Sequence, residues 1–383
     1  MKFAHLGDCH LGGWRIPELN ELNFHAFKTA LEICIKEKVD FVLIAGDLFD
    51  SAYPPIDTLK ETFREFRRLK ESRIPVFLIS GSHDYSVSGK TFLDVLAKAG
   101  FCFNVEKYEE RNGSLLLEPT IYNNVAIYGY PGKKSGLEVD EIGRIKLQDS
   151  PGMFKILMLH TALRDAVGSL PIKSVDQNKL PKVDYTALAH LHIKYNKQGR
   201  VYSGPLFPNS ITELEELKGG SFYIFNNGEI SRREIKPKEV LAFNFDISDS
   251  LKATDEILSH LGKSDLKDKI VIVRLKGMLN KGKTSDIDFQ KIESIAREKG
   301  AFTFLRSTSK LLMSEPEIQL EAVDSENLEQ QIIKNFVEKN PDKFNDLIPE
   351  LMKSLQTEKQ EDEKVAIFEE RLISEVKKVI KHE

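Results

Sequence analysis

The 383-residue chain contains little cysteine and no apolar run that approaches the roughly 18 residues of a membrane span. Cys9, Cys34 and Cys102 form an odd set without CxxC spacing, which argues against a disulfide framework and against a zinc finger. Asp8 and His10 interrupt the segment in which a signal peptide needs an unbroken apolar core. The sequence therefore predicts a soluble, cytoplasmic protein in a reducing compartment, without a membrane partner.

A basic excess is also missing, because 55 Lys and Arg residues face 59 Asp and Glu residues and the formal net charge is −4. Proteins whose whole surface binds nucleic acid or anionic membranes usually carry such an excess. The acidity is local: residues 324–383 contain 10 basic and 15 acidic residues, and the remainder of the chain is close to neutral. The composition excludes a diffuse basic binder, but it leaves open a site whose positive field comes from bound metal ions.

At roughly 150 residues per domain, the length corresponds to about two or three domains. Short apolar segments alternate with amphipathic helices from the N-terminus onward, which is the layout of a parallel α/β domain. We predict strands at Lys2–Gly7, Phe41–Ala45, Ile74–Ser80, Val125–Gly129, Phe154–His160 and Tyr185–His190, helices at Asn20–Lys36 and around Leu59–Leu69, and a hairpin within Phe222–Ile235. This large domain is expected to end near Lys236.

The pattern restarts after Lys236 as a smaller α/β unit. Its predicted strands are Val240–Ile247, Lys269–Lys276 and Ala301–Leu305, and its predicted helices are Ala253–Leu261 and Phe289–Lys299. From about Asp324 the chain is polar, with apolar residues at helical spacing: Leu328, Ile332, Phe336, Phe344, Leu347, Leu351, Leu355, and then Val365, Phe368, Leu372, Val376 and Val379. Helices with one apolar stripe must fold onto each other or be covered by a partner, and both alternatives stay open.

Residues that can bind metal ions collect where the predicted strands end, which is the edge at which α/β sheets place their sites. Asp8 and His10 should share one face, because alternate residues of an extended segment do so, while Cys9 should point away. The complete set is Asp8, His10, Asp47, His160, His190 and His192. His5 lies inside the first predicted strand and is assigned to the core.

A mixed group of imidazoles and carboxylates suits paired manganese, iron or zinc ions better than calcium. Two metal ions about 3.5–4 Å apart can hold a hydroxide and clamp the attacking and leaving oxygens of a phosphoester. The sequence thus predicts phosphodiester or phosphomonoester hydrolysis. His83 follows the third predicted strand and is the candidate catalytic residue, stabilising the transition state or protonating the leaving oxygen. A hydrogen bond to a metal ligand is the alternative role for this histidine.

The motifs are Asp8-x-His10, Gly46-Asp47, Gly81-Ser82-His83-Asp84, His160 and His190-x-His192. This series resembles the five signature blocks of the calcineurin-like metallophosphoesterases. Within that superfamily, His10-Leu11-Gly12, Ala45–Phe49 and the chain length resemble the meiotic-recombination-type (SbcD-like) DNA double-strand-break repair nucleases of prokaryotes, archaeal in kind. The resemblance implies a β-sandwich flanked by helices as a nuclease domain (1–236), a small α/β DNA-binding capping domain (237–315) and a helical tail (316–383).

The resemblance also assigns the ligands. It implies one metal ion held by Asp8, His10, Asp47 and His192, and a second held by Asp47, His160, His190 and the residue at position 82. Two Mn²⁺ ions are expected, with Mg²⁺, Fe²⁺ or Zn²⁺ as alternatives.

Three positions depart from the family pattern. Ser82 replaces an asparagine, and a serine hydroxyl is the weaker neutral oxygen ligand. Asp50 stands where several relatives carry a histidine, and its charge would repel the scissile phosphate unless it is paired or turned away. Ala189 replaces a glycine, which asks for a backbone angle that alanine can adopt.

The resemblance implies a manganese-dependent 3′-to-5′ exonuclease and single-strand or hairpin endonuclease that processes DNA ends in double-strand-break repair at the nucleoid. It implies a homodimer, and a C-terminal helical tail that docks an SMC-like coiled-coil ATPase with a zinc hook. This chain has no GxxxxGK[ST] loop, so ATP binding would belong to that partner. Two other functions stay open: a general phosphatase or phosphodiesterase with the same metal core, and a weakly catalytic scaffold that bridges DNA ends.

A DNA substrate needs phosphate contacts near the site. The candidates besides Asp50 are Arg15, Lys90, Arg64, Arg67, Arg68, Arg73, Lys133, Lys134 and the loop Lys281-Gly282-Lys283. Arg64, Arg67 and Arg68 lie opposite the apolar stripe of their helix, so they form either a binding strip or an ordinary solvated face.

Overall fold

The computed structural model describes residues 1–86, 91–168, 171–313, 337, 345–357 and 365–380. These residues divide into two compact units, Met1–Leu312 and Met313–Glu383. None of the described helices combines the length and apolarity needed to cross a bilayer.

The first sheet has six strands and a parallel centre. Its strands are, in spatial order, β15 (Glu229–Ile235), β14 (Gly220–Asn226), β1 (Lys2–Leu6), β2 (Phe41–Ala45), β3 (Val76–Ile79) and β4 (Phe103–Asn104). The strands β1 to β4 are parallel, and β14 and β15 extend the sheet as an antiparallel hairpin. Parallel strands need long crossovers, which here contain α1 (Pro17–Lys36), α2 (Ile56–Glu71) and α3 (Phe92–Lys98).

The second sheet also has six strands. They are β12 (Tyr195–Lys197), β13 (Arg200–Tyr202), β11 (Tyr185–Ala189), β10 (Phe154–His160), β8 (Val125–Tyr130) and β7 (Thr120–Tyr122), in spatial order. A small third sheet contains β5 (Tyr108–Arg111), β6 (Ser114–Leu117) and β9 (Ile145–Leu147), and the connections include the short helices α4 (Glu138–Ile142), α5 (Arg164–Val167) and α6 (Ile211–Leu217).

The two large sheets pack face to face around one apolar core. In β2, Phe41 and Leu43 face the second sheet, whereas Val42 and Ile44 pack with the helices. A strand that is buried on both faces reads as an unbroken apolar run, which is what the sequence shows. His5 belongs to the same core: its Nδ1 lies 3.0 Å from the Tyr185 hydroxyl, and burial lowers its pKa to about 3. The fold confirms the predicted α/β class and the β-sandwich flanked by helices.

The smaller α/β unit contains β16 (Val240–Asp246), α7 (Ser250–Lys263), β17 (Ile270–Leu279), α8 (Phe289–Glu298) and β18 (Thr303–Met313). Its sheet has the order β16-β17-β18, with β16 and β17 parallel, and it has its own apolar core. The last strand is longer than predicted: past Leu305 it continues through five polar residues at 306–310 and ends with Leu311, Leu312 and Met313.

The second compact unit contains α9 (Ile348–Leu355) and α10 (Val365–Ile380), which contact each other. The apolar residues predicted at Leu328, Ile332, Phe336 and Phe344 lie outside the described residues. Leu355 of the apolar stripe is 63% exposed, and Ile373 and Ile380, which lie off the stripe, are also at least half exposed, so apolar surface of α9 and α10 stays accessible although the two helices contact each other.

Candidate metal centre

Loops that follow strands of both sheets meet at one end of the sandwich. The loop after β1 lies along the loop after β2, because Asp8 N–H donates to Gly46 O (3.1 Å) and His10 N–H donates to Asp47 O (3.0 Å). From the opposite sheet, the end of β10 brings His160 and the loop after β11 brings His190. The candidate ligands therefore come from two facing sheets rather than from the edge of one.

Five of the candidate ligands have left-handed backbone conformations, namely Asp8 (φ +49°), His10 (+44°), Asp47 (+51°), His190 (+105°) and His192 (+50°). Positive φ is uncommon outside glycine and tends to cluster at functional sites. Asp8 and His10 do lie together, but the predicted reason was wrong: β1 ends at Leu6, so these residues are not an extended segment with alternating faces. Ala189, in contrast, is not among the residues with positive φ, which is why an alanine fits there.

Hydrogen bonds orient the imidazoles of His10 and His192 toward each other. His10 Nδ1 lies 3.1 Å from Oδ1 of Asp50, and His192 Nδ1 lies 3.1 Å from Oε1 of Glu213. A carboxylate only accepts, so each Nδ1 carries the hydrogen and each Nε2 keeps a lone pair when the ring is neutral. The two Nε2 atoms are 3.0 Å apart. Two lone pairs at this distance repel each other, and only a proton shared by the two nitrogens or a bound cation can remove that repulsion.

His160 presents the same chemistry. Its Nδ1 lies 3.0 Å from the carbonyl oxygen of Ala45, which again places the hydrogen on Nδ1. Its buried Nε2 has no hydrogen-bond partner of good geometry among the described residues, although Oδ2 of Asp47 is 3.1 Å away. Burial opposes protonation of His160, but the carboxylates of Asp47 and Asp8 raise its pKa to about 9.

The two central carboxylates are buried and anchored by backbone donors. Asp8 accepts from His190 N–H at 2.9 Å and 3.0 Å, and Asp47 accepts from His83 N–H at 2.8 Å. Burial alone would raise the pKa of Asp47, but the charges of His160 and His10 and the His83 N–H hold it well below its usual range. Oδ2 of Asp47 lies 3.1 Å from His160 Nε2 and 3.7 Å from His10 Nε2, so this carboxylate can reach ligands on both sides.

The structure brings most of the predicted ligands into two overlapping groups, Asp8 with His10 and His192, and Asp8 with Asp47 and His160. His190 packs its ring against the His160 ring at 5.1 Å, and burial together with the His160 charge lowers its pKa to about 4. The Ser82 hydroxyl donates to Oδ2 of Asp47 at 3.4 Å.

This donor set fits a pair of divalent cations. The Nε2 atoms of His10 and His192, 3.0 Å apart, could both bind one cation, since two nitrogens that each lie about 2.0–2.1 Å from a metal ion can be this close. Buried carboxylates, oriented imidazoles and an unpartnered imidazole nitrogen supply the lone pairs that such ions require.

Glycines leave room for the ligands. A Cβ on Gly46 would lie 2.4 Å from His160 Nδ1, and a Cβ on Gly132 would lie 2.6 Å from the same ring. A Cβ on Gly81 would lie 2.2 Å from Oδ1 of Asp47 and 2.4 Å from its backbone nitrogen. These side chains can be seated only because the three positions lack a Cβ.

We expect Gly81→Ala to lower the free energy of unfolding by about 1–3 kcal/mol, the usual cost of overpacking, because the Asp47 backbone cannot move aside. Chemical denaturation in the presence of a chelator measures this change without any contribution from metal. Gly143→Ala is the matched control, since its new Cβ would have its nearest neighbour 3.7 Å away. Equal stability of the two variants would contradict the tight seating of Asp47.

Asp50 is paired rather than free. Its Oδ1 accepts from Nδ2 of Asn209 (3.1 Å) as well as contacting His10, and lies 3.4 Å from His83 Nδ1. Burial opposes ionisation, but these partners lower the pKa of Asp50. The lower pKa keeps Asp50 ionised, so its repulsion of a phosphate would be offset by these hydrogen-bond partners and not by loss of its charge. His83 Nδ1 also lies 2.9 Å from the Asp50 carbonyl oxygen, so Nδ1 donates and Nε2 is left to exchange a proton with a ligand.

Sequence reasoning missed three supporting residues. Asp84 lies in the third motif without an assigned role, yet its carboxylate accepts from Leu48, Phe49 and Gly81 N–H groups (3.0–3.2 Å) and ties two ligand loops together. Burial and the nearby Asp47 raise the pKa of Asp84 to about 7. Glu213 and Asn209 had no signal at all, because they lie far along the chain from the side chains that they orient.

A cleft of about 820 Å³ opens beside Ser82 and His83. It is lined by Asp50, Ser51, Ala52, Tyr53, Ser82, His83, Tyr85, Ser86, Lys134 and Ser135. Tyr53 is 66% exposed. The cleft thus presents an aromatic ring and a cation next to the candidate ligands.

The other predicted phosphate contacts have mixed positions. Arg15 is exposed, and Lys90 lies outside the described residues. Arg64 pairs with Glu61, Arg68 pairs with Glu65, and Lys133 pairs with Glu141. Arg64 and Arg68 therefore behave as a solvated helix face with internal ion pairs, whereas Lys134 lines the cleft.

Comparison with known proteins places these features in context. Residues 1–194 match the family described as calcineurin-like phosphoesterase. The DNA double-strand break repair protein Mre11 of Methanosarcina mazei is 27% identical over 314 residues, which cover 79% of this chain and 48% of that protein. The corresponding Methanosarcina acetivorans protein is 28% identical over 333 residues, covering 83% and 52%. The chain thus spans about half the length of these relatives. A solved dimetal phosphatase from Danio rerio covers 61% of this chain and 95% of its own, with 10% identity and a TM-score of 0.36.

Proposed function

The chain belongs to the calcineurin-like phosphoesterase family, and from this premise we propose that it is a two-metal nuclease that hydrolyses phosphodiester bonds at DNA ends. The observation that carries the proposal is the convergence of the His10, His192 and His160 Nε2 lone pairs on buried carboxylates. Asp8, His10, Asp47 and His192 would hold one cation, and Asp47, His160, His190 and Ser82 the other. Mn²⁺ is the metal that we propose.

Bound divalent cations supply Lewis acidity and lower the pKa of a coordinated water toward neutrality. The protein provides the rest. Asp8 and Asp47 hold negative charge in the buried centre, where their backbone hydrogen bonds keep them in place. His83 is oriented through Nδ1 by the Asp50 carbonyl; as an imidazolium, which carries a hydrogen on both nitrogens, it would donate the Nε2 proton to the leaving oxygen.

A nucleic-acid substrate is supported by the cleft and by the similarity to the two Mre11 proteins. Tyr53 offers a ring face for an unpaired base, since base–aromatic stacking contributes about 1–3 kcal/mol, and Lys134 offers a phosphate contact. We extend the proposal to 3′-to-5′ exonuclease and single-strand or hairpin endonuclease activity in double-strand-break repair, at the nucleoid in the cytoplasm. The proposal also includes a homodimer and an SMC-like ATPase that docks through the C-terminal helices.

The deciding experiment is cleavage of linear and hairpin DNA by the purified chain in Mn²⁺, with and without such an ATPase, alongside hydrolysis of nitrophenyl phosphate esters. Metal-dependent DNA cleavage supports the proposal. Hydrolysis of the small esters without any cleavage of DNA would instead indicate a general phosphoesterase and overturn the nuclease assignment.

A second candidate, a weakly catalytic DNA-bridging scaffold, is favoured by Ser82. Its short hydroxyl reaches Asp47 at only 3.4 Å and is a weak metal ligand. We expect Ser82→Asn to tighten the second Mn²⁺ by roughly tenfold (about 1.4 kcal/mol) because an amide oxygen replaces the hydroxyl. Metal titration followed by calorimetry measures this, with Ser51→Asn on the cleft wall as control. Two tightly bound metal ions and robust cleavage in the native chain would eliminate the scaffold.

Metal binding should release protons. In the metal-free protein, burial opposes protonation of His192, but Asp8 and Glu213 raise its pKa to about 9, as Asp47 does for His160. A ligand imidazole must be neutral, so up to two protons leave below pH 9 and the apparent affinity rises with pH until about 9. Calorimetry in buffers of different ionisation enthalpy counts the protons; none released at pH 7 would contradict the assignment.

The stability of the metal-free protein should change with pH in the opposite direction to the metal affinity. Both histidines have folded pKa values above the ordinary 6.5, so their stabilising contribution is complete below that value and is lost as the pH rises toward 9. Thermal unfolding with a chelator should therefore show decreasing stability over this interval.

A further inference from the structure

Helix α6 connects the candidate metal centre to the smaller α/β unit. On one side, Glu213 contacts His192 Nδ1 through Oε1 (3.1 Å) and accepts from Asn209 N–H through Oε2 (2.8 Å). Asn209 Nδ2 donates to Asp50 (3.1 Å), whose carboxylate contacts His10. The two imidazoles that face each other at the centre are thus both oriented through this segment.

On its other side, α6 contacts the smaller unit at both β16 and β17. Glu215 accepts from Nε of Arg274 at 2.9 Å, and Nη2 of the same guanidinium donates to Thr212 at 3.3 Å. Leu214, between the two glutamates, is buried in one apolar cluster with Ile270 and Ile272 of β17. The ion pair is largely buried, since the side chains of Arg274 and Glu215 are 12% and 16% exposed.

We propose that Arg274 is a positioning residue for the metal centre, acting through Glu215 and α6 on Glu213 and His192. A seven-residue helix is only about 10 Å long, and its packed side chains transmit a displacement rather than absorb it. Buried ion pairs are costly to break, because the remaining charge is left uncompensated. The position of the smaller unit therefore sets how well His192 is oriented. This inference rests on the proposed metal centre.

A second ion pair between the same two parts of the chain provides a matched control. Arg297 of α8 lies 3.4 Å from Glu18 of α1, and both side chains are substantially exposed, at 46% and 34%. This pair joins the smaller unit to α1, and among the described residues the hydrogen bonds and ion pairs of Arg297 and Glu18 do not involve α6. Losing it removes an attachment of the smaller unit without disturbing the orientation of His192.

The test is calorimetric titration of Mn²⁺ into the full chain and its variants. Glu213→Gln is the reference variant, since losing a carboxylate that orients a metal-bound histidine weakens the affinity for metal by about 10–100-fold. We expect Arg274→Gln and Glu215→Gln each to weaken Mn²⁺ binding by about three- to tenfold. The double variant should weaken it no further than Arg274→Gln alone, because Arg274→Gln already removes the ion pair with Glu215. Arg297→Gln should match the native chain.

The possible results distinguish failure of the proposed metal centre from failure of the proposed positioning role of Arg274. If the native chain binds no Mn²⁺, the proposed metal centre fails. If the native chain binds Mn²⁺ and Arg274→Gln lowers only the melting temperature of the chelated protein, the ion pair is structural and the positioning role is overturned. Equal weakening by Arg297→Gln would also overturn it, since any loosening of the smaller unit would then suffice. Variants that fail to fold are replaced by Thr212→Val, which removes only the second Arg274 contact and should weaken binding in the same direction.

Discussion

Asp47→Asn is expected to abolish metal-dependent hydrolysis, reducing kcat/KM by about a thousandfold or more. Asp47 is the only described carboxylate within 4 Å of both His10 and His160, so its loss affects both proposed ion positions. Bound metal ions contribute several kcal/mol of transition-state stabilisation, and each 1.36 kcal/mol corresponds to tenfold in rate. Asparagine keeps the size and the hydrogen bond from His83 N–H but removes the charge.

Metal analysis and kinetics on the same preparation check this result. The variant should retain at most one of the two Mn²⁺ ions, and its fold should be intact by circular dichroism. Asp57→Asn is the control, because Asp57 is an exposed aspartate of α2 whose side chain is 93% accessible. Full activity of Asp47→Asn with two bound metal ions would remove Asp47 from the proposed centre.

His83→Ala is expected to lower kcat by about 10²–10⁴-fold, the usual contribution of a general acid, while Mn²⁺ binding stays within about twofold of native. We expect kcat to fall without a change in Mn²⁺ affinity because the contact between His83 and Asp47 is made by the backbone N–H, which alanine preserves. The lost group is the imidazole, which is 46% exposed at the cleft.

A substrate with a good leaving group distinguishes proton donation from simple orientation. A nitrophenolate leaves without protonation, so His83→Ala should impair cleavage of a nitrophenyl phosphodiester far less than cleavage of DNA. His25→Ala, at an exposed histidine of α1, should be indistinguishable from native on both substrates. Equal losses on the two substrates would show that His83 orients a ligand or the phosphate and does not donate a proton.

Much of the site could be predicted because each ligand follows an apolar run that is buried on both faces. Asp47 directly follows Gly46 after the strand Phe41–Ala45, and His160 ends the strand Phe154–His160, with bounds that match the prediction. Such runs have few alternative structures, and the ends of parallel strands meet. The α/β class and the candidate ligands were therefore accessible from the sequence.

The arrangement of the strands was not accessible in the same way. An apolar run does not record which sheet it joins, so the strands that carry His160 and His190 could be assigned to one sheet with β1 although they form a second. Short strands such as β5 (Tyr108–Arg111), in which three of the four residues are charged, give no apolar periodic signal. Glu213 is 21 positions from His192, and no local pattern links a supporting carboxylate to a ligand at that distance.

The residues with left-handed backbone conformations at the candidate metal centre lower the stability of the fold. Asp8, His10, Asp47, His190 and His192 each hold a conformation that costs about 1–3 kcal/mol without glycine, and the surrounding core offsets that cost. Glycine at His190 would relieve its share of this cost while removing a proposed metal ligand. Selection of random variants for thermal endurance alone would thus favour loss of the ligands, and any stabilised form of this chain has to be screened for retained metal at every round.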